Sequence, residues 1–245
     1  MIQKPSFFIS DIHFMGGRSA AEFHKYRMVK SFFEHVAEHG QELFILGDYF
    51  DFGIDYRHSL PSQNVRGLAL LVLLADAGVQ IHYLVGNHDF WLGDFLQKEL
   101  DIKLYYEPFS ISRNGKNIYL IHGDGLSDLD KSYRTMRRIL RARFNQFLFR
   151  WLHPDLGIAL ANRMSHASKN QDVLYTKYNQ DESYFKSLNT IFDQGYDMIL
   201  MGHHHQPMMR VFNNKIYYNL GDWIQHGSYL ESDAQGFSQK TWKLT

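Results

Sequence analysis

Asp11-Ile12-His13, Gly47-Asp48-Tyr49-Phe50-Asp51, Gly86-Asn87-His88-Asp89, His122-Gly123-Asp124 and Gly202-His203-His204-His205 gather oxygen and imidazole donors into five short segments. Each follows a run of β-forming residues, and strand ends are where α/β proteins collect their chemistry. Together the donors exceed what one cation can use, which points to a two-metal hydrolase. Two divalent ions about 3.5–4 Å apart clamp the attacking and leaving oxygens of an in-line displacement at phosphorus and lower the pKa of a bound water. Asp11 and His13 lie two positions apart on a segment read as extended, so alternation places them on one side. Gly47 lets the chain turn sharply and present Asp48 at the sheet edge, where its two oxygens could bridge both ions. Asn87 offers an amide oxygen, and His122, His203 and His205 offer imidazoles. Such a set suits Mn, Fe, Zn or Co rather than an all-oxygen Ca or Mg cage. His88 is the candidate proton donor beside Asn87, with Asp89 expected to fix its tautomer.

Each motif has a bland reading when taken alone. Gly-Asp after a strand is often only a turn, and a histidine triplet can be an exposed polar loop. Five in this order, each at a strand end, carry the inference together.

The positioning elements follow from periodicity. Ser6–Ile9, Glu42–Leu46 and Gln80–Val85 read as buried strands, with helices over Ala20–His39 and Ser62–Ala77 between them. That β-α-β-α-β rhythm predicts parallel strands with helical crossovers. Hairpins follow at Phe109–Arg113 with Asn117–Ile121 and at Met208–Phe212 with Lys215–Asn219, flanking Asn114-Gly115 and Asn213-Asn214. Met198–Met201 delivers the histidine triplet, and a last strand pair is expected within 227–244. A β-α-β half joined to a hairpin-rich half predicts α/β mixed sheets packed as a sandwich, with helices outside.

With 245 residues, 44% of them apolar, the chain reads as a single domain over 1–245. Zero formal net charge gives no support to nucleic-acid binding, and the absence of cysteine rules out thiolate metal sites and fits a reducing compartment. The N-terminal apolar patch is too short for a signal peptide, and no apolar run approaches the roughly 20 residues of a membrane span.

One stretch differs. Residues 126–170 hold nine Lys or Arg against three Asp, in an otherwise neutral chain. Met136, Ile139, Leu140, Phe144, Phe147, Leu148, Trp151 and Leu152 recur at helical spacing, with Arg134, Arg138 and Arg141 on another face. This predicts either a helix packed on the core with a basic solvated side, or an amphipathic lid suited to an anionic amphiphile or a membrane surface.

The ordered motif set resembles the calcineurin-like metallophosphoesterases. That resemblance implies a four-layer αββα sandwich and two divalent ions, most simply Mn, with Zn or Fe as alternatives. It places Asp11, His13, Asp48 and His205 on one ion, and Asp48, Asn87, His122 and His203 on the other. His204 would be no ligand, and Asp51 would support its loop. The segment from His122 through Asp130, Tyr133 and Arg134 into the basic helix, with Gly221-Asp222-Trp223, is similar to the UDP-2,3-diacylglucosamine pyrophosphohydrolase subfamily of lipid A biosynthesis. This implies a cytoplasmic enzyme at the inner membrane surface that cleaves an acylated nucleotide sugar to UMP and a diacylated sugar 1-phosphate. Asp130, Tyr133, Arg134 and Ser168 would meet the substrate. The chain departs from that subfamily at His88, where its well-known branch has arginine, and near Tyr175, where a basic residue is expected. The alternatives are a phosphoesterase for cyclic nucleotides or phosphomonoesters, and a non-catalytic binding protein of this fold.

Overall fold

The computed structural model describes residues 4–17, 19–52, 61–89, 91–92, 94–126, 131–140, 142–153, 156–157 and 182–244. Two mixed sheets stack face to face. The first contains β1 (Ser6–Ile9), β2 (Glu42–Leu46), β3 (Gln80–Leu84), β4 (Lys103–Tyr105), β10 (Ser228–Asp233) and β11 (Gly236–Thr241), in the order β11-β10-β1-β2-β3-β4. The second runs β5-β6-β7-β9-β8, from β5 (Phe109–Arg113), β6 (Lys116–Ile121), β7 (Met198–Met201), β8 (Met208–Phe212) and β9 (Lys215–Asn219). β1 to β4 pair in parallel, as do β6, β7 and β9.

The central strands are apolar on both faces because both faces are covered. Phe8, Phe44 and Leu46 point between the sheets at Ile118, Leu120, Met198 and Leu200. Their neighbours Phe7, Ile9, Leu43 and Ile45 face helices α1 (Ala20–His39) and α2 (Val65–Asp76) on the outside. On the far side, Ile199 and Met201 pack against α6 (Glu182–Phe192). The layers therefore run α, β, β, α.

α1 begins at Ser19, whose hydroxyl accepts the Glu22 N–H, and ends where Gly40 N donates to Val36 O. The first turn of the expected second helix is 3₁₀ over Ser62–Asn64, and α2 proper starts at Val65. α3 (Phe95–Leu100), β4 and α6 are additions to the sequence reading. The first two are too short to show a period.

The basic stretch supplies two helices, α4 (Lys131–Leu140) and α5 (Arg143–Arg150), broken at the extended Ala142. The break shifts the phase of the apolar pattern. Phe149 is the buried side chain, while Phe144 is 68% and Trp151 77% exposed, and Ile139, Phe147, Leu148 and Leu152 are exposed too. Most of the expected apolar stripe is thus exposed among the described residues, while Leu140 and Phe149 pack with buried Phe52 and Trp91. Residues 158–170 of the expected lid lie outside the described residues. Among the described residues no helix is long and apolar enough to cross a membrane.

Candidate metal centre

The five motifs leave β1, β2, β3, β6 and β7 at their carboxyl ends, so they meet at one edge of the sandwich. Backbone hydrogen bonds stitch the loops together: Asp11 N to Gly47 O (3.1 Å), His13 N to Asp48 O (2.8 Å) and Gly202 N to His122 O (3.0 Å). Lys25 of α1, buried and paired with Glu22 at 2.9 Å, donates to His13 O at 2.5 Å and ties that loop to the helix layer.

Extended alternation is not what aligns Asp11 and His13. β1 ends at Ile9, and Asp11, His13, Asp48, His203 and His205 all have left-handed backbones, with φ of 56°, 51°, 55°, 68° and 56°. Non-glycine residues rarely sit there, at a cost of about 1–3 kcal/mol each, and such strain collects at functional sites. Gly86 and Gly202 matter for a different reason. A Cβ on Gly86 would collide with Asp48 Oδ1, and one on Gly202 with Ser10 Oγ and the Asp11 carboxylate.

Asp11 Oδ2 accepts from Ser10 Oγ (2.6 Å) and His203 N (2.8 Å). Its other oxygen is turned to His205 Nε2 at 3.3 Å and His13 Nε2 at 3.7 Å. Asp48 is divided in the same way: Oδ1 accepts from His88 N (2.9 Å), while Oδ2 stands 3.5 Å from His13 Nε2 and 3.4 Å from His122 Nε2. His122 Nδ1 donates to Leu46 O (2.7 Å), which aims Nε2 at Asp48 and at Asn87 Oδ1, 2.9 Å away. Asp11, His13 and His205 form one donor group and Asp48, His122 and His203 another, with a third, His13, Asp51 and His88, around the Nδ1 side of His13.

The electrostatics follow from burial among opposite charges. Burial favours neutral Asp11, but His205, His13 and His122 outweigh it and hold the carboxyl well below its usual range. Asp48 is likewise lowered against burial, chiefly by His122 and His88. Burial alone would lower His13, yet Asp11, Asp51 and Asp48 raise it to about 10; Asp48 raises His122 in the same way. These protons balance charge that cations would otherwise balance.

The residues fit a pair of divalent ions. Donors held 2.0–2.2 Å from one ion stand about 3–3.5 Å apart; His205 Nε2 lies 3.3 Å from both Asp11 Oδ1 and His13 Nε2, with Asp11 and His13 slightly wider at 3.7 Å. Asp11 Oδ1 is buried with no hydrogen-bond partner, and two imidazole Nε2 atoms, His13 and His205, face each other at 3.3 Å. Asp11, His13, Asp48 and His205 could hold one ion, and Asp48, Asn87, His122 and His203 the other.

Residues 5–207 match the family described as calcineurin-like phosphoesterase. The chain belongs to this family. It is similar to the UDP-2,3-diacylglucosamine hydrolase of Hahella chejuensis (strain KCTC 2396), 32% identical over 244 residues covering 95% of each chain. The protein of the same name from Porphyromonas gingivalis (strain ATCC BAA-308 / W83) is 29% identical over 246 residues, 93% of this chain and 94% of its own. A solved cold-active protein tyrosine phosphatase shares the fold alone, with a TM-score of 0.50 at 17% identity over 98% of this chain and 81% of its own.

The remaining expected residues of the phosphoesterase take different places. His88 is buried with Nδ1 3.0 Å from Asp51 O, so that carbonyl, not Asp89, fixes its tautomer. Asp89 faces away: its oxygens accept from Gly86 N (2.7 Å), Tyr49 N (2.8 Å) and the Tyr83 hydroxyl. It clamps two metal-site loops, and burial together with Asp48 raises its pKa. The expected role of Asp89 against His88 is corrected. Asp51 does more than support its loop, since its carboxylate stands 3.3 Å from His13 Nδ1 and 3.8 Å from His88 Nδ1. Its signal was its place three residues after Asp48. His204 packs its ring on Tyr184 (4.8 Å), and burial, with His203 nearby, lowers its pKa to about 3.

The α4–α5 cap docks on the site loops rather than on a sheet. Trp91, just past the His88 motif, donates to Leu140 O (2.9 Å) and packs against Phe149 (4.3 Å) and Phe52. Arg137 reaches back to Asp124 (2.7 Å), and Arg134 Nη1 donates to Gly125 O (3.0 Å), so Arg134 braces the loop after His122. Asp130, Ser168 and Tyr175 lie outside the described residues, as does the side chain of Tyr133.

Proposed function

We propose that this phosphoesterase cleaves the pyrophosphate of a UDP-linked diacylated glucosamine, releasing UMP and the diacylated glucosamine 1-phosphate. Water adds at the α-phosphorus, and the bond to the bridging oxygen breaks. The observation that supports hydrolysis most directly is Asp48 Oδ2, placed between His13 and His122 so that one carboxylate can serve both donor groups. The substrate class is supported by the relatives named for it and by a cap whose apolar residues are exposed beside the site.

Bound there, two divalent ions, which we take to be Mn, would supply a nucleophilic water near neutral pH and offset charge growing at phosphorus. Asp11, His13, Asp48, Asn87, His122, His203 and His205 would hold them. His88 keeps its Nδ1 proton on Asp51 O, which leaves Nε2 as the nitrogen free to face the phosphoryl or leaving oxygen, where a ring carrying both protons would give one up. Asp51 and Asp89 fix loops and tautomers. The cap, with Asp130, Tyr133, Arg134 and Ser168 as candidates, would bind the sugar-phosphate and acyl region. Its exposed Phe144, Phe147 and Trp151, set among arginines, suit peripheral contact with the cytoplasmic membrane face.

Assay of the purified, Mn-loaded protein on UDP-2,3-diacylglucosamine and on its unacylated counterpart tests this. Release of UMP from the acylated compound alone is expected. Equal rates on both remove the lipid from the reading, and turnover only of cyclic nucleotides or monoesters replaces it.

A further inference from the structure

The family match stops at residue 207, yet the chain past it returns to the centre. β9 ends at Asn219, and the turn after it carries Asp222 into the same sheet edge. Asp222 is 3% exposed. Its Oδ1 accepts from the backbone of Ile224 (3.1 Å), Gln225 (2.9 Å) and His226 (3.1 Å), and lies 3.2 Å from His226 Nδ1. That oxygen is fully committed. The other, Oδ2, stands 3.6 Å from His205 Nδ1, a few tenths of an ångström outside hydrogen-bond range. His205 Nε2, on the opposite side of the ring, faces Asp11 Oδ1 and His13 Nε2, each at 3.3 Å.

The same turn holds a second donor of this group. Trp223 N donates to Asp11 O at 3.1 Å, and the Trp223 ring is buried against Phe32. A Cβ on Gly221 would strike Ser228 Oγ and Pro207, so the turn admits no side chain there, and its φ of 73° suits glycine. One turn thus holds Asp11 by its backbone and sets a carboxylate oxygen behind His205. In the second donor group, His122 Nδ1 rests on the Leu46 carbonyl rather than on a carboxylate.

We infer that Asp222 is a positioning residue that orients His205 through Nδ1 and strengthens cation binding at the Asp11–His13–His205 position selectively. This rests on the reading of those three residues as metal ligands. A carboxylate behind a ligating imidazole fixes its tautomer and makes it more basic, and losing such a partner typically costs about 10–100-fold in metal affinity.

Asp222→Asn isolates the effect. The Asn carbonyl can still accept the three backbone N–H groups and keep the turn, while its amide presents donors, the wrong polarity, to His205 Nδ1. Calorimetric titration with Mn, with metal counted after dialysis, should show two ions in the unaltered protein. In Asp222→Asn one of them should weaken about 10–100-fold, with melting in chelator unchanged. Asp222→Glu should recover part of the loss, and His226→Ala should leave both ions unaffected. Two ions held by Asp222→Asn at unaltered affinity, or both weakened equally, overturn the inference. No ion bound by the unaltered protein defeats the underlying metal reading instead. A variant that does not fold is replaced by long-range ¹⁵N spectra of the zinc-loaded unaltered protein. These should show His205 protonated at Nδ1, and protonation at Nε2 overturns the inference.

Discussion

Asp48 Oδ1 accepts the backbone N–H of His88 at 2.9 Å, so the carboxylate whose other oxygen lies between His13 and His122 also seats the proposed proton donor. In the proposed reading, one side chain would set both the metal site and the acid. Asp48→Asn keeps an acceptor for that N–H but removes the charge. We expect it to fall by more than about 100-fold in kcat and to lose at least one ion in elemental analysis, while thermal melting shows it folded. Normal turnover in this variant would contradict the assignment.

His88→Ala separates acid from metal. Its kcat should drop about 10²–10⁴-fold with both ions retained, since His88 is not among the seven residues proposed to hold them. Metal loss in His88→Ala would show that the residue holds the site rather than serving the leaving oxygen.

Metal binding should release protons. Without cations, His13 carries its proton up to about pH 10, and His122 is raised as well. Near neutral pH the pair of ions should therefore displace about two protons, one from each of these histidines, and apparent affinity should climb as pH rises. Calorimetry in buffers of different ionisation enthalpy counts those protons. A pH-independent affinity would remove the basis for protonated ligands.

Far from the metal edge, Glu42 joins the two sheets. It accepts from Ser6 Oγ (2.9 Å) and from Arg113 on β5, with His82 Nε2 3.6 Å away. His82, ahead of Ser6 and Arg113 and against the opposing effect of burial, lowers the Glu42 carboxyl to about 2. The stability this gives is complete above the usual carboxylate range and disappears as pH falls toward that value. Glu42→Gln should cost roughly 1–2 kcal/mol at neutral pH after allowance for partial exposure, a fall of about 2–4 °C in melting temperature per kcal/mol. Melting curves of variant and parent should converge as pH approaches about 2.

Trp91→Ala should loosen the cap without unfolding the sandwich. Losing the Leu140 hydrogen bond and the Phe149 contact should raise hydrogen exchange in α4 and α5 at least tenfold, about 1.4 kcal/mol, with little change in β1 or β7. KM for an acylated substrate should rise more than kcat falls.

Much of this was legible in the residues. Strand and helix bounds such as Ala20–His39 and Met198–Met201 were readable because apolar periodicity and end signals agreed there. Donor types and their order were also visible. What the sequence did not disclose is conformational or long-range. Nothing in Asp11-Ile12-His13 announces a left-handed backbone, which loops over 100 residues apart impose through hydrogen bonds such as Trp223 N to Asp11 O. Asp222 meets His205 only because β9 lies beside β7. In the basic stretch, helical spacing singled out Phe147 and Leu148, whereas the chain is broken at Ala142 and Phe149, outside that pattern, is the side chain found buried there.

Trp91 and Phe52 extend the very loops that carry His88 and Asp51, and Phe149 packs on Trp91, which in turn meets Phe52. If the proposed substrate enters beneath α5, lifting that helix would pull on the loops of His88 and of the Asp51 carbonyl that holds its Nδ1. Admission of the guest and alignment of His88 would then depend on the same three aromatic rings, and a guest that failed to reseat the helix would leave its phosphate uncut.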